Sequence, residues 1–203
     1  LFASTHQGEE TLACRIHARL KTTYPDLLTI IVPRHHERCE DIVTQCKALG
    51  MNTQLRGKSK DAPADDKDIY IANTLGELGL FYRACNITCI GRSFSDDGGG
   101  GHNPIEAAQL HCAVLHGPNV QYQTNIFNEM NAHNAAIMVK DEAELTQSLH
   151  ALLSDESKLA AQQKNGLAFA QHKEGVIERV MDILHPSLDE LNARAITDNV
   201  EAP

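Results

Sequence analysis

Basic residues are scarce in this sequence: 18 Lys and Arg stand against 27 Asp and Glu, a formal charge of −9. A surface that neutralises phosphate backbones carries a basic stripe, and none is concentrated here. That argues against nucleic acid as a partner and leaves any anionic ligand to be held by local groups. No run approaches 18 apolar residues and no signal peptide opens the chain, which therefore reads as soluble. The six cysteines (Cys14, Cys39, Cys46, Cys85, Cys89, Cys112) show no CxxC pairing and mostly fall in apolar periodic segments. Missing ligand spacing argues against zinc and for free, buried thiols in a reducing compartment. The chain begins Leu-Phe-Ala-Ser-Thr without methionine, as expected of a piece of something longer. Familiar catalytic signatures are missing too. No Gly-Lys-Ser/Thr follows the glycine run and its spacing is not GxGxxG, and there is no GxSxG elbow for a Ser-His hydrolase.

What is present, 42% hydrophobic residues in a chain of 203, suffices for one good core. Short β-type runs alternate with helical patterns. "LFAS" precedes a helix over 9–20, "LLTIIV" one over 37–49, "DIYIA" one over 76–84, "NITCIG" one over 104–111, and "CAVLHG" one over 125–132. "MNTQLR" leads into a polar loop, and "AAIMV" into helices over 142–153, 156–172 and 174–184. Such repetition predicts an α/β fold, a doubly wound, Rossmann-like parallel sheet covered by helices on both faces. One domain over residues 1–185 is expected, with a polar, acidic tail over 186–203 that is either helical or frayed.

The unusual residues fall in a pattern. "STHQGEE", "PRHHER", "NTLGEL", "GRSFSDDGGGGHN" and "HGPN" each follow an apolar strand directly, which places them all at the carboxyl edge of the sheet, where open parallel sheets bind ligands. Asn103 and Pro104 suit the cap and first position of a helix. Glycines just before a helix start let an anion reach main-chain N–H groups, so Gly100, Gly101, His102 and Asn103 are expected to cradle a phosphate or carboxylate; the plain alternative is a flexible linker. Glu106 would accept hydrogen bonds from sugar hydroxyls, or merely compensate the helix dipole. Arg34, after the strand-ending Pro33, is a natural bidentate partner for an anion, with His35 beside it; otherwise Arg34 or Arg38 pairs with Glu37 or Glu40 on the surface. Thr74, Gly76 and Glu77 read as weaker contacts or as a capping box. Ser4 and Thr5, beside His6, end the first strand ahead of Gly8, Glu9 and Glu10. His111, His116 and His133 look like packing or surface residues, and Leu12, Ile16 and Leu20 form a core stripe.

In this order the motifs "STHQGEE", "PRHHER", "NTLGEL", "GGGHNPIEAA" and "GPN" resemble the C-terminal half of 3-deoxy-D-manno-octulosonic acid (Kdo) transferases, from about Ser4 to Leu153. The resemblance implies one half of a GT-B glycosyltransferase that moves Kdo from CMP-Kdo to a lipid A precursor in lipopolysaccharide assembly, with inversion at the anomeric carbon. It implies no cofactor and no metal, a location on the cytoplasmic face of the bacterial inner membrane for the full-length protein, and a general base in an N-terminal acceptor domain absent from this chain. This half alone is then expected to bind a cytidine nucleotide weakly without turnover. Carried over motif by motif, the CMP-Kdo contacts are Arg34, His35, Ser93, Gly100, Gly101, His102, Asn103 and Glu106, with Pro33, Thr74, Gly76, Glu77, Ser4 and Thr5 as weaker candidates. Two departures stand out. "GRSF" replaces the family's Gly-Gly-Ser-Leu, so that Arg92 either points away from the ligand or adds a charge near it, and Asn73-Thr74 replaces Asp-Thr. Alternatives left open are a related GT-B domain or UDP-sugar 2-epimerase-like enzyme, which would prefer UDP, and a binding module with a vestigial site.

Overall fold

The computed structural model describes residues 1–57, 61–95 and 97–198. Its elements, in chain order, are β1 (Phe2–Thr5), α1 (Glu9–Lys21), β2 (Thr29–Pro33), α2 (Cys39–Ala48), β3 (Thr53–Leu55), β4 (Ile69–Ile71), α3 (Leu78–Ala84), β5 (Ile87–Ile90), α4 (Ile105–Gln109), β6 (Ala113–His116), α5 (Thr124–Ala132), β7 (Ile137–Met138), α6 (Glu142–Ser154) and α7 (Glu156–Asp198). The seven strands form one sheet in the order β3-β4-β2-β1-β5-β6-β7, every pair parallel. The chain runs outward from β1 to one edge, returns, and runs outward to the other. The switch point therefore lies between β1 and β5, and a crevice opens there beyond the strand ends.

Alternate strand residues feed opposite faces, as the pleat requires. Ile31, Ile69, Ile71, Cys89 and Leu115 pack under Leu12, Ile16, Ile42, Leu145 and Leu149 from α1, α2 and α6. Ala3, Ile90 and Val114 pack on the other face against Ala107, Phe127, Met130 and Phe169. Burial on both faces explains why these strands read as unbroken apolar runs. All six cysteines are free thiols, five of them buried. No described helix is long and apolar enough to cross a membrane.

The boundaries differ from the sequence pattern for local reasons. Leu27 closes a turn onto Tyr24, so β2 starts later than the apolar run. Gly76 adopts φ +77, a left-handed conformation that holds α3 back to Leu78. A 3-10 turn (His36–Arg38) precedes α2. Left-handed His111 (φ 64) stops α4 after five residues. The helices expected over 156–172 and 174–184 are one helix, α7, which continues through Pro186 to Asp198.

Candidate functional site

Two buried carboxylates organise the crevice. Glu9 opens α1 at 2% exposure. Its Oε2 accepts N–H bonds from His6 and Arg92 (both 2.8 Å), and its Oε1 accepts those of Ser93 (3.1 Å) and Phe94 (2.9 Å). One side chain thus ties the end of β1 to the loop after β5 across the switch point. Burial pushes its carboxyl above the usual range, against the four N–H groups that favour its charge. Glu10, also fully buried, accepts the Thr5 hydroxyl (2.9 Å) and both terminal nitrogens of Arg38 (3.1 and 3.2 Å).

These contacts sort the residues expected to meet a ligand. Thr5 is spent on Glu10, and Arg38 pairs across elements with Glu10 rather than with Glu37 or Glu40. Pro33 is buried in register with Thr5. Ser4 sits in the β1 irregularity at φ 58, and its carbonyl oxygen would lie 2.2 Å from a Cβ at Gly91. The backbone approach that requires Gly91 is therefore made by β1 itself. Ser93 is completely buried; its hydroxyl accepts the Gly117 N–H (2.8 Å) and donates to the Ile90 carbonyl, lacing β5 to the loop after β6 beneath the site.

The glycine loop is likewise turned inward. The N–H of Gly99 goes to Asp97 Oδ1 (3.2 Å), that of Gly100 to the Asn119 carbonyl (3.0 Å), that of Gly101 to Arg92 (3.0 Å) and that of His102 to Gly91 (3.2 Å). A Cβ on Gly100 would stand 2.1 Å from the Tyr122 ring, and one on Gly101 would be 3.1 Å from Val120 and Phe127. At Gly99, Gly100 and Gly101 the space for a side chain is taken by the loop after β6 and by Phe127 of α5, whereas Gly98 faces open space. Helix α4 is short, and Asn103 Oδ1 accepts the Ile105 N–H (2.9 Å). The expected cradle of peptide amides is thus internal structure, and the anion-binding capacity of this edge resides in side chains.

That capacity is concentrated around His102. His6 Nδ1 lies 2.9 Å from Asp97 Oδ2, and His6 Nε2 lies 3.1 Å from His102 Nε2. The His35 ring meets His6 edge-on at 5.6 Å. Arg92, at φ 58, sets its guanidinium over the Tyr122 ring with Nε 3.6 Å from Asp97 Oδ2. The Arg34 side chain is exposed, with no ion pair or hydrogen bond of its guanidinium among the described residues. Burial, followed by the charges of His6, Arg34, Arg92 and His35, pushes His102 down to about 4; burial also lowers His6. Asp97 is held down to about 2, first by the Ser95 hydroxyl and also by His6. Arg34, Arg92 and the three imidazoles thus gather beside Asp97, with Glu37 Oε1 3.5 Å from His35 Nδ1 at the outer side.

The remaining expected residues lie toward α3. The Glu106 carboxylate is exposed, packed over Gly79 (3.3 Å from the position of its Cβ). Glu77 forms a two-point ion pair with Arg56 (2.9 and 3.2 Å) and accepts the Thr74 hydroxyl. These bonds bind the end of β3 to the start of α3 and push the Arg56 guanidinium pKa up. Thr74 and Glu77 are thus struts, whereas Gly76 is exposed in its left-handed turn.

A cleft of about 900 Å³, lined in part by Asp97, opens between the starts of α1 and α6. Its charges are already matched: Arg15 and Arg19 both pair with Glu142 (2.8 and 3.0 Å), and Lys140 with Glu144 (3.2 Å).

No family model matches the chain. It is 34% identical over 190 residues (93% of this chain, 40% of the relative) to the 3-deoxy-D-manno-octulosonic acid transferase of Rickettsia typhi. The Haemophilus influenzae enzyme of that name is 28% identical over 188 residues (92% and 43%). Among solved structures, the C-terminal CMP-Kdo binding domain of WaaA from Acinetobacter baumannii superposes with a TM-score of 0.79 at 26% identity, over 84% of this chain and 87% of that one. The chain is a relative of the Kdo transferases. It spans about two fifths of the length of the curated relatives it matches and has the α/β fold of the WaaA C-terminal domain, one half of a GT-B glycosyltransferase. A C-terminal glycosyl transferase domain (LpcC) from Francisella tularensis, 17% identical at a TM-score of 0.57 over 85% of this chain and 84% of that one, shares the fold.

Relative to this Kdo transferase resemblance, the structure gathers Arg34, His35 and His102 and leaves Asn103 and Glu106 on the rim. It adds His6 and Asp97, which the motifs contain without any sign that they meet, because contacts 91 residues apart leave no periodic trace. Arg92 stands beside this cluster, its Nε 3.6 Å from Asp97 Oδ2.

Proposed function

We propose that this chain is the nucleotide-sugar-binding domain of a Kdo transferase and holds CMP-Kdo at the β1/β5 switch point. The observation that carries the reading is the exposed, unpaired Arg34 guanidinium beside His35 and His102, in a chain whose relatives are Kdo transferases and which superposes on a CMP-Kdo binding domain. Arg34 takes the phosphate as a bidentate donor, His35 and His102 flank it, and the exposed Glu106 accepts hydrogen bonds from ribose hydroxyls.

The reaction proposed for the full-length protein transfers Kdo to a lipid A precursor at the inner membrane with inversion. An acceptor hydroxyl attacks the anomeric carbon as CMP leaves, and the general base lies outside this chain. Negative charge grows on the departing phosphate, so cations fixed in advance stabilise the transition state more than the ground state. Calorimetric titration with CMP is expected to show binding that weakens about tenfold or more in Arg34→Ala, the loss of one charge-assisted bidentate contact. Equal affinity for UDP, or no response to Arg34→Ala, overturns the reading. Incubation of this chain with CMP-Kdo and acceptor is expected to yield no transfer.

A further inference from the structure

Two imidazole nitrogens 3.1 Å apart hold one proton between them: two N–H groups would collide, and two lone pairs would repel. The carboxylate of Asp97, 2.9 Å from His6 Nδ1, only accepts, which fixes His6 with its proton on Nδ1. In the neutral chain His6 Nε2 is therefore the acceptor and His102 Nε2 the donor. That leaves His102 Nδ1 as a lone pair, which repels a phosphate oxygen. The His6 side chain is only 11% exposed, too enclosed to meet a ligand broadly itself.

We propose that Asp97 and His6 are positioning residues of the phosphate site: they set the tautomer of His102, so that it meets the donor's phosphate only after one proton from the buffer has been added at Nδ1. The proposal rests on the CMP-binding reading above. The added proton makes His102 an imidazolium that donates from Nε2 to His6 and from Nδ1 to the phosphate, and the charge is shared along the chain to Asp97. No bond breaks except that between the proton and its buffer carrier. The groups facing the pair are Arg34 and His35 from the end of β2, Arg92 and Asp97 from the loop after β5, and the Glu9 carboxylate at the His6 amide. Arginines keep their charge throughout. In the free chain burial and these cations hold His102 near 4 and lower His6, so both are neutral near pH 7 and the proton must be taken up on binding.

The test is calorimetry on the whole 203-residue chain with the methyl ester of CMP, a phosphodiester whose phosphate does not titrate between about pH 5 and 8. Affinity is expected to rise as pH falls from about 7.5 to 5.5, approaching about tenfold per unit, the limit for one proton. Buffers of different ionisation enthalpy are expected to report net proton uptake. Asp97→Asn lets an amide N–H face His6 Nδ1, reverses both tautomers and supplies His102 with an Nδ1–H at no protonic cost. Its affinity is expected to change by less than about twofold over the same range. His6→Asn should flatten the profile as well, and matching circular dichroism melts establish that the variants fold. A flat wild-type profile with binding intact overturns the proposal alone, as does an Asp97→Asn profile as steep as wild type. Absence of binding by both CMP and its ester at every pH overturns the donor-site reading and this inference together.

Discussion

Arg34 and Arg38 lie four positions apart in one motif and do opposite work. Arg34 is exposed and unmatched, so its loss is expected to weaken nucleotide binding while leaving the melting temperature nearly unchanged. Arg38 is 24% exposed and supplies both hydrogen bonds of its ion pair to Glu10, whose side chain is fully buried. Arg38→Ala leaves that carboxylate with the Thr5 hydroxyl alone. The expected cost, read by urea unfolding, is about 2–3 kcal/mol, below the ~3–5 of a fully buried pair because water reaches the arginine side. The sequence presents the two arginines alike, each with acidic neighbours. Only the position of Glu10, 28 residues away, tells a strut from an exposed, unpaired side chain.

At the scale of elements, the loop after β5 is backed by β1 at Gly91 and by the loop after β6 at Gly99 and Gly100. Its glycines are expected to differ sharply. Gly91→Ala puts a Cβ 2.2 Å from the Ser4 carbonyl, a backbone atom that cannot yield; destabilisation at or above the top of the ~1–3 kcal/mol range for overpacking is expected. Gly98→Ala meets nothing within 4 Å and costs only the left-handed strain of φ +94, about 1 kcal/mol. Gly100→Ala displaces the Tyr122 ring, which is 71% exposed and free to swing, and should fall between. Thermal melts of the three variants check the order. The motif "GGGGHN" announced a special loop and its place after a strand, and that much was legible. Its surroundings were not, because the atoms that crowd Gly99, Gly100 and Gly101 belong to residues 119–122 and to Phe127, which a pattern of glycines cannot name.

For the whole molecule, four histidines with lowered pKa values (His6, His17, His102 and His116), each depressed chiefly by burial, couple folding to pH. Between their folded values and the ordinary value near 6.5, the unfolded chain binds more protons than the native one. Stability therefore rises with pH in that window and is lost as the solution is acidified through it. Melting temperature is expected to fall from about pH 7 toward about 4.5, and a fall that is absent in nucleotide-free protein would contradict these burial-driven shifts. His17 and His116 lie in the interior, so substitutions at the site alone should remove only part of the slope.

Hydrophobic periodicity and the polar punctuation after each strand determined the layered parallel sheet and the sheet edge at which Arg34, His35 and His102 emerge. These features follow from short-range rules, since a strand buried on both faces must be apolar throughout and whatever follows it must emerge at one edge. Tertiary structure alone decided the strand order that puts β1 beside β5, the transfer of the loop amides from ligand to protein, and the meeting of Asp97, His6 and His102. Each of these depends on which distant groups satisfy a buried donor or charge, a choice fixed by packing in three dimensions and unrecorded in the spacing of residues along the chain.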